Sequence, residues 1–206
     1  MQDLINFLVD LVASWGYAGI VFLMALESSF FPFPSEVVMI PAGYLAQQGQ
    51  MNIILAFICG VFGSLLGAVF NYYLCYFFGR ELIVRYGHFV GINEQKMQKF
   101  EAFFNKHGEI STFNCRLLPG IRQYISLPAG LAKMNIWRFC LFTSLGASIW
   151  VAILLGLGYV LGENKELIDE YLHIIIMILA CFVIVLSAFY VLKYRKKRLN
   201  TDVERF

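Results

Sequence analysis

Residues 27–36 read ESSFFPFPSE and residues 116–122 read RLLPGIR, and both runs lie inside long apolar segments. Pro32 and Pro34 stand between Glu27 and Glu36, while Pro119-Gly120 stands between Arg116 and Arg122. A proline removes an amide donor and collides with the turn before it, so neither segment is expected to continue as one helix. Within hydrocarbon, broken backbone is tolerated only where it is buried in protein or lines a cavity. Residues 17–46 and 110–132 are therefore expected to form two re-entrant hairpins, with Pro32, Pro34, Pro119 and Gly120 at the breaks. Ser35 and Glu36 are placed to cap a half-helix that starts after the first break.

Around these runs the chain is made for lipid. Of its 206 residues 59% are apolar and only 15% charged, more apolar surface than one core can hide. Residues 52–78, 136–161 and 172–192 are each long enough to cross a bilayer, which takes about 20 residues. The first 79 residues carry Asp3, Asp10, Glu27 and Glu36 and no basic residue, and all sixteen Lys and Arg lie from Arg80 onward. An acidic start without a small-residue cleavage site reads as a retained segment rather than a signal peptide. Lys193, Arg195, Lys196, Lys197 and Arg198 follow the last span directly and assign the C-terminus to the cytoplasm. Counting back, the two hairpins enter from opposite faces. The expected layout is a single membrane domain over 1–206. It comprises an interfacial amphipathic segment (1–15), a first repeat with its hairpin (16–79) and a cytoplasmic connector with an amphipathic helix (80–107). A second repeat (108–162), a C-terminal transmembrane helix (172–192) and a cytoplasmic tail (193–206) follow.

The two repeats are visible as matched residues. Pro41-Ala42-Gly43 recurs as Pro128-Ala129-Gly130, Trp15-Gly16 as His107-Gly108, and the 16-residue interval from Gly63 to Gly79 as that from Gly146 to Gly162. A unit of one hairpin plus one span crosses the membrane an odd number of times, so its second copy is upside down. The fold class expected is an all-α integral membrane protein: an inverted repeat of re-entrant helical hairpin plus transmembrane helix, with an additional C-terminal transmembrane helix.

Each charge at the bilayer centre costs roughly 2.5–3.5 kcal/mol, and ionisable groups kept there are usually functional. Two guanidiniums six residues apart, Arg116 and Arg122, suit bidentate binding of an anion such as phosphate. Glu27 and Glu36 supply ion pairing and proton coupling, with Glu36 favoured as the proton carrier because it sits at the break. The plainer alternative is that the carboxylates only neutralise the arginines and hold the hairpins together. Asn71, Trp150 and Tyr159 are candidate cavity liners. Gly60, Gly63, Ser64, Gly67 and Ala68 read as a close-packing face. His88, His107 and His173 are scattered without ligand spacing, so no metal, cofactor or catalytic residue is expected. The five cysteines, far apart in apolar stretches, read as buried free thiols. The basic tail is explained by membrane anchoring, not by nucleic acid.

At these residues the sequence resembles the DedA family, also called the SNARE-associated or VTT-domain family. Glu27, Pro32, Pro34 and Glu36 match one motif, and Arg116, Pro119, Arg122, Ala129 and Gly130, followed by Met134 and Phe139, match the other. Gly79-Arg80, Gly146 with Trp150, and Gly158-Tyr159 extend the likeness, which runs from about 16 to 162. The span before Gly79 departs from it, holding Asn71 where some members carry an acid. The resemblance implies a bacterial inner-membrane protein, not an enzyme, that returns polyprenyl phosphate, notably undecaprenyl phosphate, to the cytoplasmic face for recycling, with protons as coupling partner. Phospholipid scrambling is the variant its eukaryotic relatives suggest. The residues themselves leave open a proton-coupled exporter of small cations or drugs, a structural assembly role and a homo-oligomer.

Overall fold

The computed structural model describes residues 2–29, 34–86, 94–118, 121–161, 171 and 174–190. Among them every regular element is helical: α1 Gln2–Ser28, α2 Glu36–Gln47, α3 Ile53–Tyr86, α4 Glu94–Arg116, α5 Ser126–Leu131, α6 Ile136–Leu161 and α7 Ile174–Tyr190. Pro32, Pro119 and Gly120, the acidic connector and the basic tail lie outside the described residues.

The segments Ile53–Gly79 and Ile136–Leu161, of 27 and 26 residues, are long and apolar enough to cross a membrane. Their outer faces are apolar as well. Ile58, Phe62, Leu66 and Phe70 recur every fourth residue along α3 and are exposed, as are Leu141, Leu145 and Ile149 along α6. A soluble protein rarely shows so long an apolar stripe to water. Both helices begin with an asparagine that takes up orphan amides. Asn52 Oδ1 accepts from the amides of Ile54 and Leu55, and Asn135 Oδ1 from those of Trp137 and Arg138.

The matched residues of the sequence are matched in packing. The short helix of each unit packs on the long helix of the other, α2 on α6 and α5 on α3, while α1 packs on α3 and α4 on α6. A Cβ on Gly43 would collide with the carbonyl oxygen of Leu155, and one on Gly130 with that of Tyr72. Tyr72 and Leu155 stand 83 positions apart, the same interval that separates Gly63 from Gly146 and Asn52 from Asn135. A Cβ on Gly63 would press on Met24, and one on Gly146 on Arg116. Met24 and Arg116 stand 92 apart, as do Gly16 and Gly108. These glycines let backbones approach where any side chain would hold them off.

Two apolar cores flank the centre. One gathers Ile20, Met24, Val38, Met39, Ala56, Val151 and Leu154, and the other Ala68, Tyr72, Ile125, Ala129, Met134 and Phe139. Along α3 the chain meets the first core and then the second, and along α6 it meets them in reverse order. The Tyr72 hydroxyl ties the second core by donating to the carbonyl of Met134.

Some boundaries differ from those expected. α1 is assigned through residue 16, where Gly16 turns the chain with φ 58°. The expected amphipathic helix of the connector and the first arm of the second hairpin form one helix, α4. Gly108 does not interrupt it, and Phe104 and Met134 lie against the glycine. The free cysteines are only half-buried, and Cys181 is exposed.

Candidate functional site

The two charged motifs meet between the cores. Glu27 stands next to the end of α1 and is 1% exposed, while Arg116 ends α4 and Arg122 lies past the second break, at 2% and 9%. Arg122 Nη2 donates to Glu27 Oε1 at 2.5 Å and to Ser35 Oγ at 2.6 Å. Gln123 Nε2 adds a hydrogen bond to the same carboxylate oxygen at 3.2 Å, and Ser28 Oγ donates to Oε2 at 3.1 Å. The carboxylate is thereby fully engaged.

Arg116 has no carboxylate partner among the described residues. Its Nη1 donates to Ser64 Oγ at 3.4 Å and its Nη2 to Ser126 Oγ at 3.0 Å, and its buried Nε has no acceptor. Ser64 and Ser28 hydroxyls lie 2.8 Å apart. Since the Ser28 proton goes to Glu27, Ser64 donates to Ser28, and a chain of hydroxyls joins Arg116 to the carboxylate. Within the cluster of direct contacts two guanidiniums face one carboxylate, and one positive charge is left over.

Trp150 completes one wall. Its Nε1 donates to Ser35 Oγ at 3.1 Å, and the Arg122 guanidinium carbon lies 5.3 Å from the ring centre, within cation–π range. With two donors converging on its oxygen, Ser35 keeps its own proton for an acceptor. The sequence expected Ser35 to cap α2, but its side chain makes no cap hydrogen bond and serves the site instead. Asn71 Nδ2 donates to the carbonyls of Ser28 and Ser29 at 3.1 and 2.7 Å, and its buried Oδ1 has no partner among the described residues. It holds the end of α1 against α3.

Glu36 sits in the first turn of α2, half-buried, and makes no hydrogen bond or ion pair to a described residue. Pro34 is exposed, and Tyr159, exposed on α6, stands outside the cluster. Sequence reasoning did not single out Ser28, Gln123 or Ser126, and it read Ser64 as packing. Short hydroxyls are common in apolar helices, and only their place on the faces of Glu27 and Arg116 marks them.

A helical frame with lipid-facing stripes around a buried charged cluster defines an integral membrane protein. The VTT domain matches residues 33–160. A protein of Lactococcus lactis subsp. lactis named alkaline phosphatase-like is 34% identical over the full length of both chains. The membrane protein YkoX of Bacillus subtilis is 34% identical, covering 98% of this chain and 90% of its own. Undecaprenyl phosphate transporter A of Bacillus subtilis is 31% identical, over 95% of this chain and 97% of its own. The chain belongs to the VTT-domain, or DedA, family. No solved structure matches it.

Proposed function

We propose that this protein carries a polyprenyl phosphate across the bacterial inner membrane, with Arg116 and Arg122 holding the phosphate. The observation that carries the reading is the buried Arg116, which among the described residues has hydroxyl partners but no carboxylate, and whose Nε has no acceptor there. A buried cation without a counter-ion is costly, and a phosphate offers the charge and the acceptors it lacks. The printed name of the Bacillus subtilis relative supports the same class of substrate. The reversed order in which α3 and α6 pass the two cores supports an inverted repeat whose breaks approach from opposite faces, and the basic run over residues 193–198 supports a cytoplasmic C-terminus. Rocking one unit against the other then exposes the site to each side in turn.

Proton coupling follows from the ion pair. Phosphate that engages Arg122 displaces Glu27, and a carboxylate left alone in that setting costs several kcal/mol unless it takes up a proton from water. The contacts thus favour Glu27 over Glu36 as the proton carrier, and leave Glu36 to an accessory role. Glu27→Gln is expected to bind lipid phosphate while losing the dependence of transport on external pH; a wild-type pH profile in that variant would return the role to Glu36.

The test of the main reading uses purified protein in liposomes with labelled undecaprenyl phosphate. Wild type should move label between leaflets, and Arg116→Ala and Arg122→Ala should be slowed by about 100-fold, as expected where charged hydrogen bonds to the ligand are removed. Equal movement in all three defeats the assignment. The name of the Lactococcus lactis relative raises phosphate-ester hydrolysis as a second reading. Inorganic phosphate released in the same assay would establish it in place of transport.

A further inference from the structure

Beside the charged cluster, α1 and α3 leave an apolar groove of about 360 Å³ lined by Phe22, Ala25, Leu26, Leu66, Gly67 and Phe70. The one polar side chain on its wall, Ser29, is satisfied by donating to the carbonyl of Ala25 at 2.7 Å. Phe22, Leu66 and Phe70 are exposed on the outer face, so the groove opens sideways toward the lipid. Its inner end adjoins the site. Ser29 follows Ser28, which bonds to Glu27, and Gly67 lies one helical turn from Ser64, which accepts from Arg116.

The internal repeat shows why the groove is there. By the packing intervals, Ala25 corresponds to Leu117 and Gly67 to Trp150. Leu117 and Trp150 are large and each 1% exposed, and they stand at the positions where the first unit has an alanine and a glycine. The groove lies on the unit that also carries Glu27.

We infer that this groove seats the phosphate-proximal end of a polyprenyl chain while the phosphate lies on Arg116 and Arg122. This rests on the phosphate reading of the site, and adds a binding surface to it. A groove of this volume falls within the range of small-ligand sites, about 300–1,000 Å³. Apolar walls that open to lipid, next to surplus positive charge, complement a molecule with an anionic head and a hydrocarbon tail. Seating the first units of the chain fixes where the head group stands, whereas the remainder stays in the bilayer.

The test compares the binding of undecaprenyl phosphate and of inorganic phosphate, which has no hydrocarbon to seat, to the full chain in detergent. Ala25→Leu gives the first unit the residue of the second, and Ser29→Ile fills the groove from its rim. Thermal unfolding of both variants establishes that they are folded. Each is expected to weaken undecaprenyl phosphate by about tenfold or more, as losing a few buried methylenes predicts, with inorganic phosphate unchanged. Wild-type affinity for undecaprenyl phosphate in both folded variants overturns the groove, and so does equal weakening of the two probes. Failure of the phosphate reading looks different: Arg122→Ala would then bind both probes as wild type does.

Discussion

The two units share their backbone contacts and differ in what they place at equivalent positions. Gly43 meets α6 as Gly130 meets α3, and Asn52 starts α3 as Asn135 starts α6. By the same intervals Met24 answers to Arg116, Gly67 to Trp150, Asn71 to Leu154 and Ser35 to Arg122. Ser35 and Arg122 even bond to each other across the centre. Matched contacts build the frame, and the chemistry sits where residues at matched positions differ. Carboxylate and small residues come from the first unit, guanidiniums and indole from the second.

The sharpest way to test this division is to remove the asymmetric residues. Arg122→Ala leaves Glu27 buried without its cation, a loss of about 3–5 kcal/mol when one partner of a buried pair is removed. Adding Glu27→Gln should restore much of that stability in thermal unfolding without restoring transport. Recovery of transport in the double variant would reduce both residues to a structural pair.

Next in size are changes to the symmetric residues. Gly43→Val and Gly130→Val each drive a side chain into backbone of the opposing unit, an overpacking expected to cost about 1–3 kcal/mol. If the register is shared, the two losses match in unfolding measurements. Gly156→Val is the control, since a Cβ there meets nothing within 4 Å. A clear difference between Gly43→Val and Gly130→Val would break the comparison of the two units.

Much of this was legible in the chain itself. The long helices stand out because an unbroken apolar run has one reading, and residues 136–161 coincide with α6. The prolines pointed to the charges around them, and the Pro-Ala-Gly pair pointed to Gly43 and Gly130, each of which meets backbone of a facing helix. Which carboxylate faces which guanidinium was not legible, because Glu27 and Glu36 flank the same break and only tertiary packing brings Arg122 to one of them. The hydroxyls were hidden for a different reason. Ser64 lies among glycines that do pack closely, so its spacing carries two meanings at once. Gly108 likewise reads as a boundary from sequence, yet α4 runs through it unbroken, since a glycine is tolerated inside a helix.

The smallest effect comes from the second ion pair, and it isolates what burial contributes. Arg138 Nη1 and Glu109 Oε1 are 2.6 Å apart, close to the 2.5 Å of Arg122 and Glu27, but their side chains are 66% and 43% exposed against 11% and 1%. With distance nearly equal, solvent decides the worth of each pair. An exposed pair is screened and contributes about 0–1 kcal/mol, so Arg138→Ala should shift unfolding slightly, lose even that shift at high salt and leave transport unchanged. A transport defect in folded Arg138→Ala would mean that the functional charge extends beyond the central cluster, to the start of α6.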